Sequence, residues 1–151
     1  MKKKYYARLA LIVYFVLLVA AFVFTRMDSL VGYREEMQWY LEYYGWLPHN
    51  YVPFQTIGLY LSQLPSTIAL RNLFGNILVL LPFGVLLPWG FARCRRIGPF
   101  LGVCALLCVG LEVFQRLTLT GAFDVDDIIL NFIGCLGGFL IFQGMHKLYR
   151  T

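Results

Sequence analysis

Two stretches of this chain, LALIVYFVLLVAAFVFT (9–25) and NLFGNILVLLPFGVLLPWGFA (72–92), carry no charged side chain. Two more, Ile97–Leu117 and Asp127–Met145, are apolar except near the ends that carry Glu112, Arg116 and Asp127. Each approaches the roughly 20 residues that a helix needs to cross about 30 Å of hydrocarbon. A backbone in lipid must pair its own N–H and C=O groups, which leaves helices and closed barrels. The alternation of a barrel strand is absent. The expected fold class is therefore all-α. The chain reads as a polytopic membrane protein of four transmembrane helices, at about residues 7–25, 72–92, 97–117 and 127–145, in one domain over 1–151. Only 14% of the residues are charged, against about 25% in a soluble domain. No polar linker or internal repeat marks a second unit.

Four spans divide the charges unevenly. Lys2, Lys3, Lys4, Arg8, Arg93, Arg95, Arg96, Lys147 and Arg150 fall on one side, and Arg26, Arg34, Arg71 and Arg116 on the other. An excess of Lys and Arg marks the cytoplasmic face, so both termini are expected in the cytoplasm of a multi-pass plasma-membrane protein. The eight acids, Asp28, Glu35, Glu36, Glu42, Glu112, Asp124, Asp126 and Asp127, all map to the outer side. The net charge of +5 thus reads as an orientation signature, and nucleic acid is not an expected partner. KKK before an apolar run also fits a secretory signal, but the run is long and VAAFVFTR is a weak cleavage site, so an uncleaved span is expected. Cys104, Cys108 and Cys135 lie inside spans and Cys94 on the reducing side, which argues against a disulfide framework. Cys104 and Cys108 share a helix face and read as small packing residues rather than metal ligands.

The outer connection, residues 26–71, is rich in Trp and Tyr. Leu30, Tyr33, Met37, Tyr40, Leu41 and Tyr44 recur at three- and four-residue steps, while Arg34, Glu35, Gln38 and Glu42 occupy other angles. That pattern predicts an amphipathic outer-loop helix whose aromatics suit the headgroup layer. WLPHN breaks it, and TIGLYLSQL forms a second short helix or turn before Pro65. The loop reads as a membrane-hugging cap over the bundle.

Polar residues gather at the outer ends of three spans. Arg71, Asn72 and Asn76 open the second, Glu112, Gln115 and Arg116 close the third, and Asp124, Asp126, Asp127 and Asn131 open the fourth. They can meet in one layer. Asn72 and Asn76, Glu112 and Arg116, and Asp127 and Asn131 are each four apart and share a face. Gly134 and Gly138 continue the Asn131 face, so the polar face is also the close-packing face. A charge at mid-membrane costs about 2.5–3.5 kcal/mol on insertion scales. The three asparagines suit helix fastening. Glu112 and Asp127 are the candidates for function, because an amide would fasten helices at lower desolvation cost. Asp124 and Asp126 read as solvated, with Asp124 also placed to cap the fourth helix. Arg71 and Arg116 do not balance the acids. A divalent cation such as Mg²⁺ on Asp124, Asp126 and Asp127, a protonated carboxylate or a cationic ligand would. Pro82 predicts a kink in the second span, and Pro88 its end.

Taken in order, NYVPFQTI (50–57), NLFGNILVLLPFGVLLP (72–88), LEVFQ (111–115) and GAFDVDDIILNFIGCLGG (121–138) resemble the VanZ-like family. The resemblance implies a small multi-span bacterial membrane protein, with Asn76, Glu112, Gln115, Asp124, Asp127 and Asn131 as its recurrent polar positions. It also implies a link to lowered susceptibility toward teicoplanin-type lipoglycopeptides, which some members confer. Three functions remain open. The outer polar pocket and aromatic loop suit binding of a lipid-linked or lipoglycopeptide ligand at the outer leaflet. An intramembrane enzyme would use Glu112 or Asp127 as general base and the aspartates for Mg²⁺. An ion-coupled transporter would need a homo-oligomer, since four spans without an inverted repeat are few. Binding is the preferred reading. No Ser-His-Asp set, HExxH or Walker motif is present. His49 falls in the outer loop and His146 at the far end of the bundle.

Overall fold

The computed structural model describes residues 2–24 and 27–148. Arg26 and Arg150 fall outside these, as do the side chains of Lys2, Lys3, Lys4, Asp28, Leu30, Tyr33 and Arg34. The elements are α1 (Lys2–Phe24), α2 (Met27–Tyr44), β1 (His49–Asn50), α3 (Gln55–Ser62), α4 (Thr67–Gly90), a short 3₁₀ turn (Ala92–Arg95), α5 (Ile97–Leu117), β2 (Phe123–Asp124) and α6 (Val125–Leu148). The protein is a helical membrane protein, as its apolar runs require. Among the described residues, three helices, α4, α5 and α6, are long and apolar enough to cross a bilayer, and α1 adds a shorter apolar stretch, Tyr5–Ala20.

The principal interface joins α4 and α6, and it is built on backbone contact. A Cβ placed at Gly134 would overlap the carbonyl oxygen of Ile77, and one at Gly138 that of Leu81. From the other side, a Cβ at Gly84 would overlap the Cys135 carbonyl oxygen. Without a hydrophobic driving force between helices in lipid, such close approach supplies the packing contacts that hold spans together. Around this seam lies the core: Leu80, Phe83 and Leu87 of α4, Phe100, Cys104 and Cys108 of α5, Cys135 and Phe139 of α6, and Leu18 of α1. The three span cysteines are fully buried packing residues.

α1 is tied to α4 by polar groups that relieve backbone carbonyls. The Tyr14 hydroxyl donates to the Val79 carbonyl. Nearer the other end, Arg8 Nε donates to the Gly90 carbonyl at 3.0 Å, and its guanidinium carbon sits 5.1 Å over the Phe91 ring.

α4 departs from expectation at both ends. It starts at Thr67 because Ser66 caps it, its side chain accepting from Ala69 N–H at 3.2 Å. It also continues past Pro88 to Gly90, so that proline does not end the helix. The missing donors at Pro82 and Pro88 are tolerated where neighbouring helices cover the backbone.

The loop between α1 and α4 contains the expected amphipathic helix, α2, and the TIGLYLSQL stretch forms α3. Met37 is buried, while Trp39, Tyr43 and Tyr44 stay exposed. Their rings interlock, Trp39 stacking on Tyr43 with centroids 5.3 Å apart. One feature was not expected: β1 and β2 form a two-residue parallel pair, with His49 opposite Phe123 and Asn50 opposite Asp124.

Candidate functional site

α5 ends in a turn that sets the chain's course into the polar layer. Leu119 has φ 55°, Thr120 N–H reaches back to the Gln115 carbonyl (3.0 Å), and Leu119 N–H to that of Arg116 (3.3 Å). This is a Schellman arrangement with leucine where glycine is usual. The Thr118 and Thr120 hydroxyls also donate to the Gln115 carbonyl, at 3.3 Å each, and satisfy the helix end further. The chain then turns through Gly121 to β2 and enters α6 beside the end of α5.

Asp124 stands at the junction. Its side chain caps α6, Oδ1 accepting from Asp126 N–H at 2.8 Å. Its own N–H donates to Glu112 Oε1 at 2.8 Å, which fastens α5 to the α6 entrance. Glu112 is fully buried. Asp124 Oδ1 also accepts from Asn50 Nδ2 at 2.9 Å, and the same amide donates to Thr56 Oγ1 at 3.0 Å. On its other edge, Asn50 Oδ1 accepts from Val52 N–H at 2.9 Å. One asparagine thus joins the loop, α3 and α6.

Asp126 corrects the sequence expectation. It was expected to be solvated, yet it is fully buried. Oδ1 accepts from Phe54 N–H at 2.5 Å and Oδ2 from Ile57 N–H at 3.0 Å. Phe54 is the N-cap residue of α3 and makes no cap through its own side chain. Asp126 therefore supplies the cap from another helix, and its negative charge sits against the positive end of α3. Pro53 and Phe54 occupy the centre of a turn closed by Gln55 N–H to the Val52 carbonyl (3.4 Å). Phe54 has φ 68° and ψ 4°, the conformation that a type II turn asks of its third residue and that usually selects glycine.

Asp127 faces the other way, toward α4. Asn76 Nδ2 donates to its Oδ1 at 2.6 Å. Asn76 lies nine residues into α4 and Asp127 two residues into α6, and their side chains join the two helices. Arg71 and Asn72 do not join the layer. Arg71 is exposed, and Asn72 Nδ2 donates within its own helix to the Ile68 carbonyl at 3.0 Å. Gln115 and Asn131 are both buried in the layer's α5 and α6 walls. Arg116 is half-buried, and its Nη1 is enclosed without a hydrogen-bond partner among the described residues.

The three aspartates point to three different partners: the loop amide, the α3 N-terminus and α4. Among the described residues, no group of three His, Cys, Asp or Glu side chains is placed to hold a metal ion. Asp124, Asp126 and Asp127, the candidate Mg²⁺ ligands, are thus directed to separate partners. Sequence reasoning also passed over Asn50, read only as a turn former. Its position in the quoted NYVPFQTI segment was the available signal.

The aromatic residues connect this layer to the loop surface. Tyr44 meets Trp46, Trp46 meets His49, His49 meets Tyr51 at 4.4 Å between centroids, and Tyr51 meets Phe123. His49 is thus a ring in an aromatic chain, and its Nδ1 lies 3.1 Å from the Leu47 carbonyl. His146 stacks on Phe142 at the other end of α6.

A family model described as VanZ/LLP1 matches residues 9–146. Over 83 residues, this chain is 32% identical to Protein VanZ of Enterococcus faecium. That stretch covers 55% of this chain and 49% of the relative, so the match spans about half of the relative's length. No solved structure matches the chain significantly.

Proposed function

The chain belongs to the VanZ/LLP1 family, and from that membership we propose a cell-envelope binding protein that engages a lipid-linked or lipophilic ligand at the outer leaflet. In this reading both termini and residues 93–96 lie in the cytoplasm. The polar layer then faces outward beneath the aromatic loop. By binding such a ligand, the protein lowers susceptibility to teicoplanin-type lipoglycopeptides.

The observation that carries the proposal is the one-sided polar layer. Glu112 and Asp126 are fully buried at one end of an apolar bundle, under a loop with Trp46, Tyr51 and Phe54 exposed. At Glu112, fastening alone would be served by an amide at lower desolvation cost. Binding fits better than hydrolysis of a lipid headgroup, because Asp124 and Asp126 are engaged by backbone and amide donors and do not converge on one point.

The test compares wild type, Glu112→Gln, Asp127→Asn and empty vector in a susceptible Gram-positive host, at matched membrane expression. Wild type is expected to raise the teicoplanin concentration needed to stop growth. Both variants are expected to lose most of that protection. Equal susceptibility of wild type and empty vector would sink the resistance role. Full protection by both variants would leave the two acids as fasteners only.

A further inference from the structure

α1 leans on α4 while α5 packs on α6, and a groove opens between α1 and α5. It has a volume of about 370 Å³. Leu18, Leu107 and Leu111 line it from the better-buried side, and Phe15 and Phe114 stand exposed at its rim. Gly110 lies in its wall, and a Cβ there would meet nothing within 4 Å. The absence of a side chain at 110 keeps the groove open. Its wall is almost wholly apolar, and it lies along the apolar parts of α1 and α5.

We propose that this groove holds one acyl chain of a polar-headed membrane lipid, with the headgroup toward the Glu112 end of α5. The inference rests on the binding role proposed above and names the part of the ligand that the groove takes. Three observations fix the occupant's chemistry. An apolar groove within the hydrocarbon layer has no water to hold and meets lipid chains first. Its open side, rimmed by Phe15 and Phe114, allows a chain to enter sideways from the bilayer. Its end toward the polar layer lies one helical turn from that layer, because Leu111, which lines the groove, and Gln115 are four apart on α5. A lipid with its tail against Leu111 therefore brings its headgroup level with Gln115 and the cluster around Glu112.

The test uses the purified full chain in nanodiscs containing lysophosphatidylethanolamine, whose headgroup carries an ammonium, with a photoactivatable diazirine in its acyl chain. Cross-linked peptides are mapped by mass spectrometry in wild type, Gly110→Leu and Gly102→Leu. Gly102 is also on α5 with open space around it, so the two substitutions are matched in chemistry. Label is expected on residues 15–19 and 106–114. Gly110→Leu fills the groove and is expected to cut it about tenfold, while Gly102→Leu leaves it unchanged. Equal elution profiles of the three proteins establish that all are folded. Label spread evenly over the lipid-facing sides of α4 and α6 and indifferent to Gly110→Leu would overturn the proposal. Specific labelling combined with no teicoplanin protection would retain the groove and reject the resistance role. Protection without specific labelling would do the reverse.

Discussion

Phe54 adopts φ 68°, a left-handed conformation that costs a non-glycine residue about 1–2 kcal/mol. Such strain persists only where the surroundings over-determine it. Here the restraint is one carboxylate, since both Asp126 oxygens accept N–H groups, from Phe54 and Ile57. Asp126→Ala leaves two backbone donors without their acceptor, and each such loss costs about 1–3 kcal/mol. The variant is expected to lower the unfolding midpoint in detergent and to speed proteolysis at residues 51–54. Asp126→Asn keeps a single acceptor oxygen and is expected to fall between the two. Combining Asp126→Ala with Phe54→Gly should destabilise less than the sum of the single changes, because glycine removes the strain that Asp126 restrains. A wild-type midpoint and proteolysis rate for Asp126→Ala would show that the latch holds nothing.

At the scale of helices, adjacent glycines have opposite roles. Gly138 meets the Leu81 carbonyl of α4, whereas a Cβ at Gly137 meets nothing within 4 Å. The atom in the way at 138 is backbone, which cannot rotate aside. Gly138→Ala must part α4 from α6 and is expected to cost about 1–3 kcal/mol. Gly137→Ala is expected to be neutral or slightly stabilising through helix propensity. The measurement is monodisperse yield and unfolding midpoint of the two alanine variants side by side. Equal behaviour would mean that the seam is not as close as Gly134 and Gly138 indicate. The spacing of Gly134 and Gly138 was legible in the sequence, as were the apolar spans and the buried Cys104–Cys108–Glu112 stripe. The places of Arg71 and Asn72 were not: Asn72 shares a face with Asn76 yet bonds back to the Ile68 carbonyl of its own helix, and Arg71 is exposed. Spacing along one helix gives the face of a residue but not the partner it meets. Asp126 was misread for a related reason: its partners are backbone N–H groups in a loop some 70 residues away, and backbone donors leave no mark on side-chain patterns.

Across the whole molecule, charge is segregated along the bundle axis. Arg8, Arg93, Arg95, Arg96 and Lys147 gather where α4 ends and α5 begins, while Glu112, Asp124, Asp126 and Asp127 sit at the opposite end. Helices inserted in a bilayer retain their Lys and Arg in the cytoplasm, and acids contribute little to that choice. The basic end is therefore expected inside and the polar layer outside. The native cysteines make this testable with little background, because all four are buried. The one outside a span, Cys94, has its thiol pushed above the usual range by burial, and the neutral thiol is a poor nucleophile. Val52 and Arg93 are exposed at opposite ends, so Val52→Cys and Arg93→Cys serve as reporters. A membrane-impermeant maleimide is expected to label Val52→Cys in intact cells and Arg93→Cys only after permeabilisation, with wild type unlabelled in both. The reverse pattern would place the polar layer in the cytoplasm and remove an outer-leaflet ligand from consideration. It would leave the α4–α6 seam and the Asp126 latch untouched, since neither depends on which way the bundle points.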